Sequence, residues 1–398
     1  METRLSRRDP AVCLTDDLFV NILSRLPIKS LCCCKCVSPS WLKLISYPEH
    51  CKKLPQTLAG FFHGSVGGPL PCEHRFTSIT GKDVPFLDPS FPLMTGCICI
   101  DLLDSCNGIL LFRCYRGDDP NTYSDECEWS YVVANPATKK WVTVPDDNSR
   151  DDAYEDGKVH LAFDPTVPSH FHVIEYVVTD RCITGVWIYS SKDMTWNFKE
   201  SGWDGEVEIS DSRDTAVFLN GFLHILTQSD TIAAVDVKGE SWRIIPKPFD
   251  PLRGFRCIYQ TQGCLCFICL EDGYSPRLSI WILDDYGTEK WTLKHTINTL
   301  NLFPQRVLGL RDYASTTFYP YHELIAVHPD CNLIFFAFWR KNELMAYHMD
   351  RREMRVICTL GPECHGNYLP YVPLFGDSLG DKNQNHVATP KSATAETS

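Results

Sequence analysis

One local pattern recurs through most of the chain: an apolar run, a polar turn, then an aromatic or apolar residue that opens a second run. It is seen in "VVANPATKKWVTVP", "VWIYSSKDMTWNFKE", "IAAVDVKGESWRIIP", "LSIWILDDYGTEKWTLKH" and "ELMAYHMDRREMRVICTL". The tryptophans after these turns stand at 141, 196, 242 and 291, at separations of 55, 46 and 49 residues, and Met354 holds the related place further on. Short alternating runs bounded by Gly, Pro, Asn and Asp are the signature of strands. A repeat of roughly 40 to 50 residues with four strands per unit predicts the blades of a β-propeller. Residues 60–375 leave room for about six four-stranded blades, and "YLPYVPLF" near the C-terminus is placed to pair with the first blade and close the ring. Closure removes the unpaired edges that an open sheet leaves.

The first fifth of the chain has a different period. From Leu14 it reads "LTDDLFVNILSRLPIKSLCCCKCVSPSWLKLISYPEHCKKL". Thr15 or Asp16 suits a helix N-cap, with acidic residues in the first turn to complement the helix dipole. Leu18, Ile22 and Leu26 recur every four residues, with Phe19 and Leu23 beside them, which makes one broad apolar stripe. Pro27 disfavours the helical region for Leu26 and ends this helix. A second helix is expected from an N-cap at Ser30 through Leu31, Cys34 and Val37. A third is expected from Ser38 or Ser40, with Pro39 acceptable at its start and Trp41, Leu44 and Ile45 on it; Tyr47-Pro48 closes it.

Cys32, Cys33, Cys34 and Cys36 crowd the second helix. Adjacent cysteines on a helix point in different directions, which suits neither a tetrahedral zinc site nor a disulfide, so the expected reading is helix positions filled by small apolar residues. Three helices this short bury too little surface to stand alone, and their apolar stripes are expected to face a partner.

The order of Leu14, Asp17-Leu18, Ile22-Leu23, Leu26-Pro27, Leu31, Val37, Trp41 and Leu44-Ile45 resembles the F-box, the motif that docks onto a Skp-family adaptor of cullin-based ubiquitin ligases. Thr15 replaces the proline usual after the first leucine, Cys33 stands where a basic residue is common, and Pro39 occupies a turn that is usually basic. "NGILLF" (107–112) and "NPATKKWVTV" (135–144) resemble the F-box-associated, kelch-related propeller of large plant families.

The resemblance implies a non-catalytic substrate adaptor with no cofactor or metal. Leu14, Leu18, Ile22, Leu23, Leu26, Pro27, Leu31, Val37, Trp41 and Ile45 would dock the Skp-family adaptor and through it a cullin scaffold, and the propeller would hold an unknown target protein. The expected fold is α+β multidomain. Residues 1–13 form a disordered N-terminus, 14–54 a three-helix F-box, 60–375 an all-β propeller of about six four-stranded blades, and 376–398 a disordered tail without an apolar anchor.

Formal charge is −12 with a pI near 5.5, which disfavours nucleic acid as a partner. No apolar run reaches membrane-spanning length and no signal-like segment opens the chain, so cytoplasm or nucleus is expected, with the twenty cysteines mostly free thiols. Cys264 and Cys266 of "CLCFIC" should face one side of a strand and Cys269 the other, as core residues. The acidic stretch 146–158 reads as a solvated loop.

A second function class is a propeller enzyme capped by the helices. Its candidate chemistry is His170 and His172 on one strand face, with His160 and Asp164 nearby. No nucleophile elbow or phosphate loop supports it. A third reading keeps the F-box but makes the complex a scaffold that does not destroy its target.

Overall fold

The computed structural model describes residues 15–26, 28–47, 50, 53–54, 58–64, 74–80, 97–116, 128–145, 158–165, 170–209, 216–229, 231–248, 256–271, 277–302, 322–339, 341–360, 368–375 and 379. Helices α1 (Asp16–Leu23), α2 (Ile28–Lys35) and α3 (Pro39–Ser46) come first, followed by strands β1 (Gly60–Gly64) and β2 (His74–Ser78). Four antiparallel sheets of four strands follow in chain order. They are β3 (Cys97–Cys106), β4 (Ile109–Arg116), β5 (Glu128–Asn135) and β6 (Lys140–Thr143); β7 (Val159–Phe163), β8 (Phe171–Thr179), β9 (Cys182–Ser190) and β10 (Thr195–Glu200); β11 (Ala216–Leu219), β12 (Phe222–Leu226), β13 (Thr231–Asp236) and β14 (Trp242–Pro246); and β15 (Arg256–Thr261), β16 (Cys264–Glu271), β17 (Arg277–Asp285) and β18 (Lys290–Asn298). After a one-turn helix α4 (Thr299–Leu302) comes a fifth, β19 (His322–Val327), β20 (Leu333–Phe338), β21 (Glu343–His348) and β22 (Glu353–Thr359), and then a last strand, β23 (Tyr368–Tyr371).

The sheets are the blades of a six-bladed propeller. The first strand of each lies against the first strand of the next, from β3 through β7, β11, β15 and β19 to β23, and β23 returns to β3. In the sixth blade the inner strand β23 pairs with β1 (Gly60↔Tyr371, Phe62↔Leu369), and β1 pairs with β2, so the two ends of the propeller sequence share one sheet. The chain then crosses Gly108, where a Cβ would stand 2.5 Å from Leu374 Cβ and 2.6 Å from the Val372 carbonyl oxygen, so a side chain there would clash.

The tryptophan repeat has a physical cause in the turns. The four-residue connections before β6, β10, β18 and β22 end on Lys139, Met194, Glu289 and Arg352, with φ of 56°, 57°, 56° and 57°. A left-handed residue closing such a turn sets the hairpin register. Two residues on, Trp141, Trp196, Trp291 and Met354 therefore take the same place on the outer strand, opposite Ala134, Tyr189, Leu283 and Tyr347. The Trp196 and Trp291 indoles also reach back to the preceding blade, donating from Nε1 to the carbonyls of Pro145 and Pro246, each at 2.9 Å. Trp242 differs: its Nε1 donates to the Gly239 carbonyl, and its ring meets Trp203 edge-on at 4.6 Å.

Apolar side chains of adjacent blades interleave. Ile109, Leu111, Tyr131 and Val133 of one blade pack with Leu161, Val173, Tyr189 and Trp196 of the next. Cys266 and Cys269 enter different clusters, as strand alternation requires. Leu379, in the C-terminal stretch expected to lack an anchor, is buried in the cluster around Ile109; residues 1–13 lie outside the described residues.

Two histidines are held neutral inside this packing. His224 Nδ1 bonds to the Val217 carbonyl at 3.0 Å, so it carries the proton, and Nε2 accepts from the Tyr286 hydroxyl of the next blade at 2.5 Å. His328 Nδ1 accepts from the backbone N–H groups of Asp330 (2.9 Å) and Cys331 (3.1 Å), which leaves no room for a proton there. Burial, chiefly, pushes both down to about 4. Between pH 6.5 and 4 the unfolded chain therefore binds more protons than the native one, so stability is full above 6.5 and falls as the pH drops. Each histidine contributes a loss of about 2 kcal/mol by pH 5 and about 3 kcal/mol by pH 4. Urea midpoints at pH 7 and pH 5 check this, and equal midpoints would contradict it.

Candidate docking site on the N-terminal helices

Local chemistry sets the helices. Thr15 stands extended before α1 without a side-chain cap, and Asp16 and Asp17 occupy its first turn. Ser38 caps α3, its Oγ accepting from the Trp41 N–H at 3.2 Å, with Pro39 in the first helical turn. The second helix begins at Ile28, so Ser30 lies inside it rather than at its cap, a correction of the sequence reading.

The apolar residues divide by exposure. Leu23 (2% exposed), Leu31 (0%) and Ile45 (2%) form a core of their own, with Phe19, Leu26, Cys34, Trp41 and Leu44 packed around them. Trp41 meets Phe19 edge-on at 4.5 Å, so much of its ring serves this core. Leu18 (52%), Ile22 (52%) and Val37 (60%) face solvent. Of the ten residues expected to dock the adaptor, three are thus exposed, three are interior, and Leu26 and Trp41 are intermediate. Leu14 and Pro27 lie outside the described residues. The three helices do not need an external partner for every apolar residue, because they bury some against one another.

They also rest on the propeller. Lys35, at the end of α2, places Nζ 2.7 Å from Asp330 Oδ2 in the connection between β19 and β20, with side-chain exposures of 11% and 10%. Cys36 packs against the cluster that contains Leu374 and Leu379. No local feature of the sequence marks this contact, whose partners are 295 residues apart.

A cavity of about 780 Å³ opens along the inner strands, lined by Asp104, His160, Phe218, Tyr259, Ile325 and Leu369 among others. His160 finds Asp104 of the neighbouring blade, with Nδ1 3.5 Å from Oδ2, rather than the Asp164 suggested by sequence proximity. Asp104 Oδ2 also accepts from the Leu161 N–H at 2.8 Å. His172 is held below its ordinary range by burial, and by His170 next. Among the described residues, no three His, Cys, Asp or Glu side chains converge as a metal site.

Comparison with known proteins matches residues 12–53 to the F-box domain model and residues 89–366 to the model described as F-box protein At3g26010-like, beta-propeller. F-box protein At5g07610 of Arabidopsis thaliana is 25% identical over 322 residues, covering 73% of each chain. F-box protein At5g49610 of the same plant is 25% identical over 305 residues, covering 71% of this chain and 78% of the relative. The F-box/kelch-repeat protein At3g23880, also of Arabidopsis thaliana, is 22% identical over 294 residues, covering 68% and 75%.

Proposed function

Because the chain belongs to the F-box proteins with an At3g26010-like β-propeller, a family of substrate adaptors of the Skp–cullin–F-box type, we propose that its helices dock a Skp-family adaptor while its propeller presents a target protein for ubiquitination. The supporting observation is the exposure of Leu18, Ile22 and Val37 on a helical unit whose own core is made by Leu23, Leu31 and Ile45. A contiguous apolar patch left in solvent marks a protein-interaction surface, and Leu18 and Ile22, one turn apart on α1, lie side by side on such a face.

The propeller's cavity and rims supply recognition, and transfer of ubiquitin falls to other subunits. What this chain contributes is proximity: it turns an encounter between target and ligase into an event within one assembly. Cytoplasm, nucleus or both would be its place of work, where thiols remain reduced.

The test is co-purification with a Skp-family adaptor, using the full chain beside a variant lacking residues 1–54. Capture by the full chain and none by the shortened one supports the proposal. Equal capture by both, or none by a folded full chain, overturns it.

A further inference from the structure

We propose that Cys97 and Cys114 are an oxidation-sensitive pair that a peroxide closes into a disulfide. Cys97 opens β3 and Cys114 lies on β4, its antiparallel partner. Cys97 stands opposite Arg116 and Ile100 opposite Cys114, with a bulge between Cys97 and Cys99. Residues two apart on a strand share a face, so Cys114 is on the face of Arg116, and Cys97 is its diagonal neighbour there. Both belong to one packed group: Cys114 is a buried member of the cluster of Ile100, Phe112 and Val132, and half-buried Cys97 packs against it.

The two thiols have unequal roles. Hydrogen bonding to Cys114, and then the charge and hydrogen bond of Arg116, lower Cys97 to about 7 against the opposition of burial. Its pairing with Cys97 and its burial push Cys114 well up. Elsewhere burial raises the thiols of Cys34, Cys106, Cys264, Cys266 and Cys331. A partly exposed thiolate beside a cation is the form that attacks peroxide, and a second thiol in contact resolves the product.

The steps balance. The Cys97 thiolate attacks one oxygen of hydrogen peroxide and the O–O bond breaks. Cys97 becomes a sulfenic acid, and the departing hydroxide takes a proton to leave as water. Cys114 sulfur then attacks the Cys97 sulfur, the S–O bond breaks, and the thiol proton leaves with that hydroxyl as a second water. Two thiols are oxidised by two electrons, and one peroxide is reduced to two waters.

Inner strands run in one direction along the channel, so the start of β3 is at the opposite rim from the connection that holds Lys35. On the reading proposed above, oxidation there is remote from the helices and leaves adaptor docking intact.

The experiment exposes the reduced full chain to hydrogen peroxide at neutral pH, blocks remaining thiols with N-ethylmaleimide and maps cross-linked peptides by mass spectrometry. A Cys97–Cys114 link is expected in the wild type and in neither C97S nor C114S, with C114S stopping at a dimedone-trapped sulfenic acid on Cys97. Before peroxide, Cys97 should alkylate at neutral pH faster than the buried thiols of Cys106 and Cys266, whose burial keeps them protonated. A link that forms only in urea, a link through Cys99 instead, or folded C97S that forms sulfenic acid as fast as wild type would overturn the pairing. Adaptor co-purification before and after oxidation is read separately, so failure of the docking proposal does not obscure the thiol result.

Discussion

Ile22→Asp combined with Val37→Asp is expected to weaken binding to a Skp-family adaptor by about a hundredfold or more while leaving the fold unchanged. Both side chains are more than half exposed and neither belongs to the helical core, so the free chain loses no packing. In a complex each would take an apolar place. Removing one anchor typically costs about 2 kcal/mol, and a carboxylate without a partner in that place costs more; about 2.8 kcal/mol corresponds to a hundredfold. Trp41→Ala is a poorer probe, because Trp41 packs on Phe19 at 4.5 Å and its loss would loosen the helices themselves. Binding is measured by calorimetry or interferometry, with circular dichroism and the urea midpoint as controls for folding. Wild-type affinity in the folded double variant would mean that the adaptor, if it binds, sits elsewhere.

Lys35→Ala is expected to destabilise the seat of the helices on the propeller by about 3 kcal/mol or more. Both charges of the pair are nearly out of water, and truncating one leaves a buried carboxylate without its cation, a change that typically costs 3–5 kcal/mol. The helices should then be cleaved earlier than the blades in limited proteolysis, and the first thermal transition should fall. Lys35→Met with Asp330→Leu should recover much of the loss, since two apolar side chains of similar reach can replace a buried ion pair at little net cost. If Lys35→Ala has the same cleavage pattern and midpoint as the wild type, the pair does not secure the seat.

Periodic features were legible because they arise locally. A left-handed residue at the end of a four-residue turn fixes where the next tryptophan falls, so the spacing of Trp141, Trp196 and Trp291 reports the blades directly. Ring closure by residues 368–371 was legible for a related reason: a lone strand at the end of a repeat array has one free edge to pair with.

Long-range polar choices were not legible. His160 is four residues from Asp164 in sequence, yet the inner strands bring it to Asp104 of the preceding blade. Lys35 and Asp330 carry no pattern that links them. Within the helices, a four-residue apolar repeat does not say which of Leu18, Ile22 and Leu23 will turn inward, because that depends on how three short helices cross.

On the adaptor reading proposed above, the seating of α2 on the loop after β19 constrains the geometry of ubiquitin transfer. A substrate carried on a swinging propeller would sweep many of its lysines past the site of modification, each at low effective concentration. One carried on a propeller fixed to its helices by a buried ion pair explores a narrow volume, where a few lysines are present at high effective concentration and the rest never arrive. Loosening that seat with Lys35→Ala would then broaden the pattern of modified lysines before it lowered the total.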